Sequence, residues 1–118
     1  MARVLVVDDD RSLRVLYSKE LADEGYEVES ASSGKEALES IARSRPDIIV
    51  LDIKMEGMDG LSVLDEVMKR DKTIPVVLNT AYSNFKSDFT TWSADAYVVK
   101  SSDLTELKET VKQILQSE

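Results

Sequence analysis

The chain of 118 residues contains no cysteine and no histidine. Disulfides, thiol chemistry, structural zinc and an imidazole general base are therefore excluded. Any chemistry falls to Asp, Glu, Lys, Ser, Thr or Tyr. Long hydrophobic runs are missing too. The N-terminal stretch offers only Val4 to Val7, too short for a signal-peptide core or a membrane span, so a cytoplasmic protein is expected. Positive charge is scarce: 15 Lys and Arg face 23 Asp and Glu, for a net charge of −8. A nucleic-acid backbone or an anionic membrane calls for the opposite sign, so neither is an expected direct partner. There is no repeat, low-complexity tract or visible linker, and 118 residues leave room for one domain.

What is present is a globular composition, 42% hydrophobic and 32% charged, able to fill one core and cover it. Short apolar runs alternate five times with segments of helical period. The runs Val4–Val7, Tyr26–Ser30, Ile48–Leu51, Ile74–Leu78 and Ala96–Val99 predict strands. Leu13, Leu16, Tyr17 and Leu21 recur at three and four residue spacing, which marks a helix ending near Gly25. Ser32 or Ser33 can cap a second helix carrying Ala37, Leu38, Ile41 and Ala42, which stops before Pro46. A third carries Leu61, Leu64, Val67 and Met68; a polar fourth is expected over about 84–91; the last starts after Ser102 or Asp103. A strict (βα)5 order implies an α/β fold, a parallel sheet with helices on both faces. The continuous apolar runs of strands 1, 3 and 4 make those strands central.

Sites in open α/β sheets form beyond the carboxyl ends of the strands. Strand 1 is followed by Asp8-Asp9-Asp10, strand 3 by Asp52, strand 4 by Asn79-Thr80-Ala81 and strand 5 by Lys100. Each residue alone has an ordinary reading. Asp10 suits a helix N-cap, Thr80 a strand-end hydroxyl, Lys100 a surface charge and Asp52 a turn. The ordinary readings explain the joint pattern badly, because carboxylates gathered at one edge repel. Magnesium, which prefers oxygen ligands, resolves that repulsion. Asp8, Asp9 and Asp52 supply −3, while Mg²⁺ and the Lys100 ammonium supply +3. Asp52 can then act as a nucleophile and form an aspartyl phosphate, which turns the neutral site to −1 and draws on Thr80 and Lys100 as donors.

The segments 4–10 (VLVVDDD), 46–55 (PDIIVLDIKM), 57–60 (GMDG), 74–77 (IPVV), Thr80-Ala81 and 94–100 (ADAYVVK), in this order and spacing, resemble the receiver domain of bacterial two-component response regulators over the whole chain. The resemblance implies one receiver domain over 1–118, with a doubly wound, flavodoxin-like (βα)5 sheet of strand order 2-1-3-4-5. It implies that Asp9 holds Mg²⁺ directly and Asp8 through water. Asp52 would be metal ligand and phosphoacceptor, and the backbone carbonyl of Lys54 a further ligand. Thr80 and Lys100 would bind the phosphoryl oxygens, and the rotamer of Tyr97 would follow Thr80. The implied donor is a sensor histidine kinase or phosphotransfer protein. The implied target is an effector protein or a C-terminal output domain, met through helix 4, strand 5 and helix 5. Whether the chain stands alone or is cut from a longer regulator stays open.

Departures from the family pattern carry expectations of their own. Ser101 replaces the usual proline after the strand-5 lysine, and a cis bond before a non-proline residue costs about 3–4 kcal/mol, so a trans Lys100–Ser101 peptide is expected. Glu56 stands where proline is frequent, and Ser93 where glycine ends helix 4. Phe85, Phe89 and Trp92 would share one helical face. Lys54 and Tyr82 flank the site and would slow hydrolysis by shielding the phosphoryl group. The main rival is a haloacid-dehalogenase-like phosphatase, with Asp8 of the Asp8-x-Asp10 pair as nucleophile. A flavodoxin-like nucleotide site is a weaker rival, since three aspartates after strand 1 repel phosphate unless metal intervenes.

Overall fold

A computed structural model describes residues 1–53, 60–81 and 94–117. Five strands and four helices follow one another as β1 (Arg3–Val7), α1 (Arg11–Asp23), β2 (Glu27–Ala31), α2 (Gly34–Arg43), β3 (Ile48–Leu51), α3 (Gly60–Arg70), β4 (Val76–Thr80), β5 (Ala96–Val99) and α4 (Thr105–Gln116). The strands form one parallel sheet in the order β2-β1-β3-β4-β5, as the family resemblance implied. The expected helix over 84–91 lies outside the described residues, as do Lys54, Glu56, Tyr82, Phe85, Phe89, Trp92 and Ser93.

Side chains alternate across a strand, so each central strand feeds two cores. Leu5 and Val7, Ile49 and Leu51, and Val76 and Leu78 pack with Val63, Leu64 and Val67 of α3 and Ala37 of α2. On the other face Val4 and Val6, Ile48 and Val50, Val77 and Val98 pack with Tyr17 and Leu21 of α1 and Leu107 and Val111 of α4. Every residue of β3 and β4 is buried, which is why these strands read as unbroken apolar runs.

Local chemistry sets the helix ends. Asp10 caps α1 by accepting from Leu13 N. Ser33 caps α2 by accepting from Glu36 N at 3.1 Å, and Glu36 in turn accepts from Ser32 N at 2.9 Å, a reciprocal cap. At the end of α1, Gly25 has φ +97°; its N–H reaches Ala22 O, and Tyr26 N reaches Leu21 O, a Schellman closure that favours glycine.

Several boundaries differ from expectation. Tyr26 spends its N–H on closing α1, so β2 begins one residue later, at Glu27. The ladder of β4 begins at Val76, after Pro75, and runs on through Asn79 and Thr80. The last helix begins at Thr105, because Asp103 accepts from both Thr105 N (2.9 Å) and Thr105 Oγ1 (2.6 Å) and so holds a turn ahead of it. Leu16, expected on the buried face of α1, is 41% exposed. The buried stripe runs through Leu13, Tyr17 and Leu21 at intervals of four, and Leu16 falls beside it. The Lys100–Ser101 peptide is trans, as expected.

Candidate functional site

The sheet extends its pattern one residue past its strand ends. Val6 pairs with Val50 and Val7 with Leu51, and Asp52 N donates to Val7 O at 3.0 Å. The next residues in register are therefore Asp8 and Asp52, both on the α1/α4 face by alternation. Both are buried, at 2% and 6% exposure, while Asp9, on the opposite side of the chain, is exposed. Lys100 continues β5, its N–H donating to Thr80 O at 2.7 Å. Its side chain reaches back across β4, placing Nζ 2.7 Å from Asp8 Oδ2 and 3.1 Å from Asp52 Oδ2.

Asp8 is held by two donors: Oδ1 accepts from Asp10 N at 2.9 Å, and Oδ2 takes Lys100. The carbonyl oxygen of Asp8 accepts from Arg14 Nη1 at 2.8 Å, tying α1 to the same corner. The start of α3 presses on the residues that follow β3. A Cβ added to Gly60 would lie 2.1 Å from Asp52 O and 2.5 Å from Ile53 Cα, so only glycine fits there. Thr80 is fully buried, and Tyr97 is half-buried against the α2/α3 core. Since Thr80 pairs with Val99 and Leu78 with Tyr97, Thr80 and Tyr97 stand one pleat apart on one face.

Asp8, Asp9 and Asp52 each offer an oxygen within 4.8 Å of the others. At that separation each carboxylate pair repels by roughly 3 kcal/mol at an effective dielectric of about 20. One ammonium leaves the group at −3 + 1 = −2. Burial works against the charge on Lys100, but its bonds and attraction to the two aspartates outweigh that, and its pKa is raised above that of a free lysine. The donor set is all oxygen and still anionic, the chemistry a divalent cation such as Mg²⁺ takes.

Of the residues singled out in the sequence, Asp8, Asp9, Asp52 and Lys100 meet at one corner. Thr80 and Tyr97 line the other face of the sheet's edge, and Lys54 lies outside the described residues. Two residues went unassigned. Tyr17 was read only as an apolar helix position, and Asn79 only as a polar strand end. Both are buried, and the one available signal was an amide inside the buried run Val76–Thr80. Asp10 is the helix cap of its ordinary reading.

Residues 4–112 match the family described as the response regulator receiver domain. The response regulator TrrA from Thermotoga maritima, solved with Mg²⁺-BeF, superposes with a TM-score of 0.93 at 46% identity, covering 97% of this chain and 99% of TrrA. TrrA in complex with the histidine kinase ThkA gives a TM-score of 0.92 at 47% identity, covering 98% of this chain and 99% of that one. Sporulation initiation phosphotransferase F of Bacillus subtilis is 32% identical over 96% of this chain and 93% of its own length. Regulatory protein AtoC of Escherichia coli is 36% identical over 97% of this chain, but this chain spans only 25% of it. Nothing here supports the phosphatase alternative. The chain belongs to the response regulator receiver domain family and is a signalling switch of that family.

Proposed function

We propose that the switch is thrown by phosphorylation of Asp52, donated by a phosphohistidine on a sensor histidine kinase or phosphotransfer protein. The observation that carries this reading is the Lys100 ammonium bridging Asp8 and Asp52 at 2.7 and 3.1 Å, a cation poised over a buried nucleophile. An Asp52 oxygen attacks phosphorus and forms the new O–P bond. The P–N bond to the imidazole breaks, its electron pair stays on nitrogen, and that nitrogen takes up a proton. Lys100 swings its donors from the carboxylates to the phosphoryl oxygens, and the Thr80 hydroxyl donates to another. In the return step water attacks phosphorus, and Asp52 leaves as carboxylate. The chain's own catalytic share in both steps is electrostatic and positional.

Asp8, Asp9, Asp52 and the Lys54 carbonyl are the groups that would hold Mg²⁺. The ion, when bound, supplies the positive charge that lets three carboxylates and an incoming phosphoryl group share one corner. Asp8, already holding two donors, suits a contact through water, whereas exposed Asp9 suits direct ligation.

Phosphorylation then shifts a population between two conformations. Moving it from about 1:99 to about 99:1 takes roughly 5.5 kcal/mol of differential stabilisation. Charge-assisted bonds from Lys100 and Thr80 can supply much of it, with Tyr97 moving into the space Thr80 vacates. The effector or output domain would read the change at β5 and α4 and the segment between β4 and β5. A kinase would meet the exposed Val15 and Leu16 of α1, 60% and 41% exposed beside the acidic corner.

Incubation with acetyl phosphate and Mg²⁺, followed by peptide mass spectrometry, tests the reading. One phosphoryl group on the peptide holding Asp52, lost in Asp52→Asn, is expected. Label on Asp8 that survives Asp52→Asn would instead revive the phosphatase reading.

A further inference from the structure

Neighbouring carboxylates repel one another, yet Asp8 and Asp9 offer oxygens that lie with one of Asp52 within 4.8 Å. Asp8 is buried, and its carboxylate is held by Asp10 N and Lys100. Asp9 is exposed, so core packing does not aim its side chain at the corner. Its aim rests first on the backbone to either side of it.

The direction in which a side chain leaves the main chain follows from φ and ψ at its own residue, and so from the two planar peptide units that flank it. Both units flanking Asp9 are tied down. In the Asp8–Asp9 unit the carbonyl oxygen accepts from Arg14 Nη1 at 2.8 Å. In the Asp9–Asp10 unit the N–H of Asp10 donates to Asp8 Oδ1 at 2.9 Å. Asp10 is fixed in turn, since its carbonyl oxygen accepts from Arg14 N at 3.0 Å and its side chain caps α1. Arg14 therefore grips the chain on both sides of Asp9, with its guanidinium on the residue before and its main chain on the residue after.

The residue type matters as much as its place. Arg14 is half-buried, and a guanidinium is a rigid planar fork that holds the direction of the group it binds. Its charge, taken alone, works against a second cation nearby. Charge and positioning thus predict opposite results when Arg14 is removed.

We propose that Arg14 is a positioning residue for the metal: by holding the Asp8–Asp9 peptide unit it aims the Asp9 carboxylate at the ion that Asp8, Asp9 and Asp52 would share. The inference rests on that ligand set and adds to it a residue that acts without being a ligand. Once the Asp8–Asp9 unit is released its plane turns, and Asp9 swings with it towards solvent. The ion then loses its exposed ligand while the buried pair stays in place.

The full-length variant Arg14→Met keeps an apolar stem and removes both the donor and the charge. Dissociation constants for Mg²⁺ are measured by isothermal titration calorimetry for the variant and wild type, with urea midpoints taken in the absence of metal. Loss of an outer partner of a metal ligand weakens binding by about 10–100-fold. A rise in Kd of about tenfold, the lower end of that range, is expected from Arg14→Met. Should that variant fail to fold, Arg14→Gln, uncharged and too short to reach Asp8 O, is read in the same way. A purely structural bond would lower the midpoint and leave Kd where it is, and a purely electrostatic role would tighten Mg²⁺ binding. Either result overturns the inference and leaves the ligand set intact. A wild-type chain that binds no Mg²⁺ would overturn both.

Discussion

The Lys100 ammonium stands closer to Asp8 than to Asp52, 2.7 against 3.1 Å. Lys100 therefore serves first to neutralise the buried Asp8 carboxylate, and Asp52 keeps the looser contact. The corner nevertheless stays at −2, a charge that a cation from solution would offset.

Mg²⁺ should accordingly stabilise the folded chain by mass action. At a concentration of about 100 times Kd the gain is about 2.7 kcal/mol, read as a rise in urea midpoint. Asp9→Asn removes the exposed ligand and one negative charge. Its midpoint without metal should equal or exceed that of wild type, because like-charge repulsion falls, and Mg²⁺ should no longer raise it. A variant that keeps the full Mg²⁺ response would remove Asp9 from the ligand set.

Gly60→Ala and Gly25→Ala form a matched pair. Alanine at 60 drives a Cβ to 2.1 Å from Asp52 O, backbone that cannot yield without moving Asp52. Overpacking of this kind costs about 1–3 kcal/mol. Alanine at 25 meets nothing within 4 Å but must adopt φ +97°, at about 1–2 kcal/mol. Denaturation should show comparable losses in the two variants. Phosphorylation by acetyl phosphate should slow only in Gly60→Ala, and equal rates would mean that α3 does not position Asp52.

Most of this arrangement was legible because the signals were local. Caps at Asp10 and Ser33, and the apolar runs of β1, β3 and β5, depend on neighbours a few residues away. Register then brings Asp8 and Asp52 together without further instruction. Where reading failed, the deciding partner was distant or competing. Tyr26 was claimed by helix closure rather than by β2. Asn79 looked like a strand end because the ladder that carries it on, its pairing with Val98 of β5, is set by a distant strand. Leu16 fits a three-residue spacing, but α1 buries the stripe at spacing four, and no periodicity argument separates the two once Leu and Tyr are counted alike.

Asp10 discriminates between the two chemistries the sequence allowed. As the N-cap of α1, accepting from Leu13 N at 3.2 Å, it contributes about 1 kcal/mol, which Asp10→Ala should lose and Asp10→Ser largely retain. In a phosphatase using Asp8 it would be the proton donor, and both variants would be inactive. The expected outcome is phosphorylation of Asp52 at close to the wild-type rate in Asp10→Ser. A large rate loss in that variant would give Asp10 a role beyond capping.

Acid sensitivity should be traceable in part to the opposite end of the sheet. The Thr73 hydroxyl, the Arg45 guanidinium (Nε 2.9 Å from Oδ2) and Thr73 N hold the Asp71 carboxyl down from 3.8 to about 2. Arg45 also donates to Thr73 Oγ1 at 3.0 Å, so the α2–β3 and α3–β4 connections are clasped together. A carboxyl whose folded pKa lies below its unfolded one binds more protons when unfolded. Its contribution is therefore complete above pH 3.8 and is lost as pH falls through about 2. Asp71→Asn should be less stable than wild type near neutrality, and the gap between them should close as pH falls across that window. Taking the difference between the two proteins cancels the carboxylates they share, those of the Asp8, Asp9, Asp52 corner included. Urea midpoints measured for both from neutral pH into the acid range decide it, and a gap that stays constant would show that Asp71 is not clasped.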